Sequence, residues 1–256
     1  MNLEIENKYF LVTGSSKGIG LSIAKKLLEE GAIVGLVARN EASISKAANE
    51  LIKRFGNQKV QSWIADLEDV VNVERLLQTI DKEWGKLDGL IANIGNGKSS
   101  LDAITSKDQW EKVWSRNFNS ALYPCRAFLP MLKRKGGVII LISSICGIES
   151  LDAPVDYSVA KSALISFAKN LSRKIAPAVR VNVVAPGNVY FKGGTWDKKL
   201  RSDKIEVENM IENQVPMKRF GKPEEIADAV VFLCSERASF ITGSVVRVDG
   251  GQTKSL

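Results

Sequence analysis

Tyr157 and Lys161 stand four residues apart, thirteen residues beyond Ser144, in a chain of 256 residues that contains no histidine. Histidine is the usual proton-transfer side chain near neutral pH. Its absence removes a Ser-His-Asp triad and any His-ligated metal, and no metal site is expected. A four-residue step places Tyr157 and Lys161 on one face of a helix. There an ammonium would stabilise the tyrosinate and pull the phenol below its ordinary pKa of about 10. A Ser144 hydroxyl beside the pair would polarise a carbonyl. Together they would form an acid/base centre that needs neither imidazole nor metal. Because the Y-x-x-x-K spacing also arises by chance, the elements around it have to carry the assignment.

Those elements alternate. Tyr9–Thr13, Ile33–Val37, Val60–Ile64, Leu87–Ala92, Val138–Ile142, Val179–Ala185 and Val245–Val248 read as short apolar strands. Helical stretches lie between them. Ile19, Ile23 and Leu27 mark the first, which ends near Gly31, and Val73, Leu76, Leu77, Ile80 and Trp84 mark a later one. Trp110–Lys135 reads as one long helix bent or interrupted at Pro130. Val155–Ala176 and Glu224–Leu233 are also expected to be helical. The pattern predicts an α/β fold, a doubly wound parallel sheet of about seven strands with helices on both faces.

Composition sets the bounds. The chain is 45% apolar and 25% charged, as in an ordinary globular protein. No linker or internal repeat stands out, so residues 1–256 are expected to form one domain. The net charge of +7 is spread among acidic residues, without the basic blocks or basic-aromatic interleaving that would point to nucleic acid. Cys125, Cys146 and Cys234 are odd in number and lack metal-ligand spacing, which suits reduced thiols in the cytoplasm. Cys146, two residues past Ser144, reads as a packing residue rather than a reactive thiol. Met1–Lys8 is polar, with no signal-peptide pattern, and the apolar run Val138–Ile142 is too short to span a bilayer. No membrane association is expected.

Two regions complete a ligand cleft. The segment Thr13-Gly14-Ser15-Ser16-Lys17-Gly18-Ile19-Gly20 ends the first strand and opens the first helix. Its glycines permit a tight turn, and the helix N-terminus offers free N–H groups to a pyrophosphate. Thr13, Gly14, Ser16, Lys17, Gly18, Ile19 and Gly20 are the candidate cofactor contacts here. The spacing is G-x-x-x-G-x-G, not the ordinary G-x-G-x-x-G. At the end of the second strand an Asp or Glu would bind the ribose of NAD. The chain has Ala38-Arg39-Asn40 there, with no carboxylate to repel a 2′-phosphate and an Arg39 able to pair with one. With Lys17 nearby, the charges favour NADP over NAD. The polar stretch between Pro186 and Pro216 lies where ligands meet the carboxyl ends of strands. It is expected to form a substrate lid over about 188–215, against the alternative of an ordinary surface helix pair.

The whole set of motifs resembles the short-chain dehydrogenase/reductase family over essentially the full chain. The resemblance rests on Thr13-Gly14-x-x-x-Gly18-Ile19-Gly20, Asp66-Leu67, Asn93-x-Gly95, Asn117, Ser144, Tyr157-x-x-x-Lys161, Pro186-Gly187, and the tail Gly243…Val248-Asp249-Gly250-Gly251. It implies a Rossmann-type sheet and an NADP(H)-dependent oxidoreductase interconverting a ketone and a secondary alcohol. Tyr157 would give or take the proton, and Lys161 would bind the nicotinamide ribose and lower the Tyr157 pKa. Ser144 would hold the substrate oxygen, and Asn117 would place a water linking Lys161 to solvent. Asp66 and Leu67 would meet the adenine. Asn93, Gly95, Pro186, Gly187 and Val189 would line the cofactor cleft. A homo-oligomer, tetramer or dimer, is also implied. The chain departs from the family at Ile94, where Ala is usual, and at Phe191, where a Thr commonly contacts the nicotinamide carboxamide.

The substrate is less legible. Asn96, Ser144, Glu149, Asn188 and Trp196 are the candidate substrate contacts. With Ser150 and Tyr190 they make a mixed, hydrogen-bonding rim that suits a keto-sugar or related sugar derivative, as in surface-glycan synthesis. Lys192, Lys198, Lys199, Arg201 and Lys204 of the lid would suit a phosphate or nucleotide. The resemblance equally implies a 3-oxoacyl-[acyl-carrier-protein] reductase, with the acidic carrier as partner. The segment Ile175–Val179 lacks a basic residue for such docking and weighs against it. A third reading, from another class, is a non-catalytic NADP-binding sensor or scaffold, which filled catalytic positions disfavour.

Overall fold

The first half of the chain forms β1 (Tyr9–Thr13), α1 (Gly18–Glu29), β2 (Ile33–Ala38), α2 (Glu41–Phe55), β3 (Val60–Ile64), α3 (Val70–Trp84) and β4 (Gly89–Ala92). The computed structural model, which describes residues 2–255, continues with α4 (Lys107–Trp114), α5 (Ser120–Lys133), β5 (Val138–Ile142) and α6 (Val155–Ile175). It ends with β6 (Arg180–Pro186), α7 (Thr195–Ser202), α8 (Lys204–Gln214), α9 (Pro223–Cys234) and β7 (Val245–Val248). All strand pairs are parallel, in the order β3-β2-β1-β4-β5-β6-β7. The order reverses between β1 and β4. The loops leaving those two strands diverge, and a ligand crevice opens between them.

Successive strand residues point to opposite faces. Phe10, Val12, Ile140 and Ile142 pack with Ile23 and Leu27 of α1, Ile44 and Leu51 of α2, and Ile226 and Val230 of α9. Leu11, Ile139 and Leu141 pack on the other face with Leu76 and Ile80 of α3, Phe128 and Leu132 of α5, and Leu164 and Ala168 of α6. Both faces are covered, so the central strands read as unbroken apolar runs. Among the described residues, no helix is long and apolar enough to cross a membrane.

The expected single helix over Trp110–Lys135 is corrected to two helices. The break is not at Pro130: α5 runs through both Pro124 and Pro130, and a π-helical turn at Ser115–Asn119 separates it from α4. Such turns admit an extra residue into the helical ladder. This one carries Asn117 inward to 1% exposure. Asn40 caps α2 by accepting from the Ser43 N–H at 2.9 Å. β4 begins at Gly89 rather than Leu87, with the Asp88 carboxylate taking the Tyr9 N–H at 2.7 Å. The 186–216 stretch is a helix pair, α7 and α8. Buried Asp197 gathers its start by accepting from the Gly193 N–H at 2.9 Å, Arg201 at 3.0 Å and the Tyr190 hydroxyl at 3.1 Å.

After β5 the chain turns through Ser143, Ser144 and a 3-10 turn at Ile145–Gly147 onto α6. Gly147 meets α6 backbone to backbone. A Cβ there would stand 2.6 Å from the Lys161 carbonyl carbon and 2.8 Å from its oxygen. No side-chain rearrangement relieves that clash. Gly147→Ala is therefore expected to destabilise the chain by about 1–3 kcal/mol, the usual cost of overpacking, seen as a lower urea midpoint. An unchanged midpoint would show that the approach is looser than described.

Candidate active site

Lys161, 3% exposed, sits near the start of α6 and donates from Nζ to the Ile142 carbonyl at the end of β5, at 3.0 Å. Its own carbonyl accepts from Ser143 Oγ at 2.8 Å. Ser143 is thus committed to joining β5 to α6, which leaves Ser144 as the hydroxyl beside Tyr157. Ser144 Oγ also accepts the Cys146 N–H at 3.2 Å. Asn117 is held by the 93–106 segment: Oδ1 accepts the Asn96 N–H at 3.0 Å, while Nδ2 donates to Asn96 O at 3.2 Å and Val113 O at 3.0 Å. Gly95 brings Asn117 and Lys161 to one point, since a Cβ on it would lie 2.7 Å from both Asn117 Oδ1 and Lys161 Nζ. Asn117, implied by the family resemblance, therefore converges with the Ser144, Tyr157 and Lys161 singled out by type and spacing.

Their electrostatics correct one expectation. The ammonium does not bring the Tyr157 phenol down. Burial pushes Tyr157 up to about 12, and the nearby Ser144 hydroxyl opposes this only in part. Lys161 Nζ lies 5.9 Å from the centre of the Tyr157 ring and spends a hydrogen bond on Ile142 O. Burial also lowers Lys161 to about 8. Desolvation disfavours each charged form, so the phenol keeps its proton through the neutral range. Burial likewise raises the Cys146 thiol, in keeping with a packing role.

One residue beside the site was not legible from motifs. Asp156, 2% exposed, accepts the Tyr157 N–H at 2.7 Å, Ser99 Oγ at 2.5 Å and Thr105 Oγ1 at 3.1 Å. Three donors converge on it, and it fastens the 96–105 segment to the first turn of α6. The only sequence signal was a carboxylate directly before the tyrosine.

The glycine loop has the shape of a dinucleotide cradle. Gly14 and Gly18 take positive φ, +62° and +56°, and a Cβ on Gly20 would lie 2.4 Å from Gly14 O. Lys17 precedes α1 with no side-chain cap, which leaves the first N–H groups of the helix to a ligand. Buried Thr13 and partly buried Asn93 support the loop from behind. The Asn93 N–H donates to Thr13 Oγ1 at 2.9 Å, and its Nδ2 donates to Thr13 O and Gly14 O at 3.1 and 3.2 Å. Ser16 and Ile19 are partly buried on the loop. Leu67, 1% exposed, is part of the core behind the cleft. Pro186 ends β6, and the Gly187 N–H donates to Val248 O at 3.0 Å. Val189 is buried and bridges to Gly221.

Arg39 is less free than its sequence position implies. Its guanidinium donates to Glu68 Oε1 at 3.1 Å and lies 3.9 Å from Asp66. The expectation that no carboxylate stands near the 2′-phosphate position is therefore corrected: the β3–α3 turn supplies two. Phe191 rests its ring on the loop, with ring atoms 2.6–2.8 Å from where a Gly18 Cβ would be. The loop's glycines and the uncapped start of α1 fit a dinucleotide.

At the rim, Asn96 is tied to Asn117. Glu149 accepts the Lys254 N–H at 2.8 Å and also the Ser255 N–H, so it anchors the C-terminal tail. Asn188 Nδ2 donates to Met210 Sδ at 3.3 Å. Trp196 packs on Phe220, ring centres 5.5 Å apart, beneath Lys199. The last turn of α6 carries exposed Arg173 and Lys174, so the helix end before β6 is basic although Ile175–Val179 is not.

Known proteins share this architecture along the whole chain. Residues 14–253 match the family model described as enoyl-(acyl carrier protein) reductase. The 3-oxoacyl-[acyl-carrier-protein] reductase of Chlamydia muridarum is 37% identical over 253 residues, covering 98% of this chain and 99% of the relative. Dehydrogenase/reductase SDR family member 4 of Mus musculus is 33% identical, covering 98% of this chain and 89% of the relative. Among solved structures, L-sorbose reductase from Gluconobacter frateurii, complexed with NADPH and L-sorbose, aligns with a TM-score of 0.90 at 32% identity over 100% of both chains. An NADPH-bound short-chain oxidoreductase from Pseudomonas aeruginosa aligns with a TM-score of 0.91 at 29% identity over 97% of this chain and 98% of that one. With this agreement in sequence and overall fold, the chain belongs to the short-chain dehydrogenase/reductase family of oxidoreductases.

Proposed function

We propose that the chain is an NADP(H)-dependent reductase that interconverts a ketone and a secondary alcohol on a small polar substrate, a keto-sugar or related sugar derivative. The observation that carries this reading is geometric: buried Lys161 and Asn117 meet at Gly95, and the partly buried Tyr157 ring, one helical turn before Lys161, lies against Gly97. A carbonyl oxygen seated between Ser144 and Tyr157 would accept the Ser144 hydrogen bond and then the Tyr157 proton. Lys161 and Asn117 would replenish that proton from solvent along the 96–117 contact. NADPH would supply the hydride when bound. Gly14, Ser16, Gly18, Ile19 and Gly20 would face its pyrophosphate, Lys17 and Arg39 its 2′-phosphate, Asp66 its adenine, and Pro186, Gly187 and Val189 its nicotinamide end. The α7–α8 pair is read as a lid. The likeness to L-sorbose reductase over the full chain supports a polyhydroxy substrate.

A second reading, a 3-oxoacyl-[acyl-carrier-protein] reductase, draws support from the Chlamydia relative and from exposed Arg173 and Lys174 as a carrier-docking pair. A homo-oligomer is part of either reading. Val155 and Val159 on α6 are 44% and 41% exposed, an apolar face suited to a second copy. The unpaired Cys125, Cys146 and Cys234 suit a cytoplasmic setting.

NADPH oxidation by wild type and Tyr157→Phe, tested on keto-sugars and on β-ketoacyl thioesters, separates the readings. The expected result is turnover of keto-sugars, lost by about 10²–10⁴-fold in Tyr157→Phe with NADPH affinity kept. Turnover of thioesters alone would replace the first reading with the second. NADPH binding without any turnover would favour the sensor or scaffold. A second measurement addresses Phe191. If its ring must leave Gly18 before NADPH enters, Phe191→Thr should tighten NADPH binding by about tenfold in a fluorescence titration. Unchanged affinity would show that the ring does not compete.

A further inference from the structure

A cavity of about 240 Å³ opens beside the catalytic cluster, between the 96–98 segment and the α4–α5 junction. Asn96, Lys98, Gln109, Lys112, Arg116 and Asn117 line it, three cations among them and no carboxylate. Arg116 is partly neutralised by Glu68, with Nε 3.2 Å from Oε1. Lys98 and Lys112 have no acidic partner within ion-pair distance among the described residues. We propose that this hollow is an anion subsite that seats a phosphate group carried by the carbonyl substrate.

Three observations point the same way. First, the hollow is next to the reacting residues. Gly97 lies against the Tyr157 ring, a Cβ there being 3.7 Å from Cε1, and its neighbours Asn96 and Lys98 both line the cavity. Asn117 has its carboxamide fixed to Asn96, so it lines the cavity without being free to chelate. Second, the cations repel one another. Lys198 of α7 presses the Lys98 ammonium below its ordinary pKa, and Lys17 and Arg116 add to it. Like charges held at a concave surface concentrate an anion there, and a phosphate accepts charge-assisted hydrogen bonds from several donors at once. Third, the cofactor's phosphates have other candidates: the N-terminus of α1 for the pyrophosphate, and Lys17 and Arg39 for the 2′-phosphate.

The inference deepens the reductase reading and rests on it, naming the substrate as a phosphorylated carbonyl compound. Two measurements keep the two ideas separable. The first needs no turnover: thermal stabilisation of the full chain by inorganic phosphate, against chloride at equal ionic strength, for wild type, Lys98→Gln and Lys112→Gln. A saturable shift, weakened about tenfold in midpoint concentration by each substitution, is expected, with NADPH affinity unchanged. A shift identical in all three proteins would overturn the subsite, as would lysine variants that weaken NADPH binding and leave phosphate binding intact. The second compares kcat/KM for a ketose and its phosphate ester. The ester is expected to be preferred, and Lys98→Gln should lower the ester-to-ketose ratio about tenfold while sparing the free ketose. An unchanged ratio would assign the phosphate elsewhere. Loss of turnover on every carbonyl would count against the reductase reading, while the phosphate titration would still decide the subsite.

Discussion

The site depends on one close approach, that of the turn after β5 to the second turn of α6. Gly147 meets the Lys161 backbone there, Ser143 Oγ bonds the Lys161 carbonyl, and Lys161 Nζ returns to Ile142 O. These contacts lock α6 in rotation and translation against the strand. A helix fixed in that way has no choice about where Tyr157 goes, because it lies one turn before Lys161 on the same face. Ser144 is set by the same turn. The opposite wall is set separately: Asn93 pins the glycine loop, and Asn117 pins the 96–98 segment. Asp156 then ties the two walls together. The geometry of the site is thus over-determined by contacts from several elements.

Burial sets the chemistry of this arrangement. Lys161 is taken out of water and Tyr157 in part, and each is driven toward its neutral form. The consequence for folding has a definite sign. Lys161 binds its proton less tightly folded than unfolded, so between about pH 8 and its ordinary value of 10.5 the unfolded chain holds more protons and stability rises with pH. Tyr157 acts in the opposite direction between 10 and about 12, where the unfolded chain has lost a proton that the folded chain keeps.

The alternation of apolar runs with helical spacing disclosed the parallel sheet, and motif spacing disclosed Ser144, Tyr157 and Lys161. These are local signals, carried by residues near one another in sequence, whereas Asn117 came only from the family resemblance. What escaped was tertiary. Pro130 looked like the point of interruption, yet the helix breaks at Ser115–Asn119, where no residue type announces a π turn. Arg39 looked unopposed because Glu68 arrives from a different loop. The tail contacts of Glu149 were equally hidden, because its partners lie 105 and 106 residues away. The direction of the Tyr157 shift was misjudged for the same reason: spacing shows that an ammonium is near, and only packing shows how much water is lost.

The protonation of Tyr157 is the most direct point of test. An ultraviolet difference titration of wild type against Tyr157→Phe isolates this one of four tyrosines. No tyrosinate signal should be lost in the mutant below pH 10, with the Tyr157 transition lying above the ordinary phenol value. A tyrosinate that forms near pH 7–8 in wild type and vanishes in Tyr157→Phe would contradict the claim that burial dominates the site, and would restore the ammonium as the controlling charge.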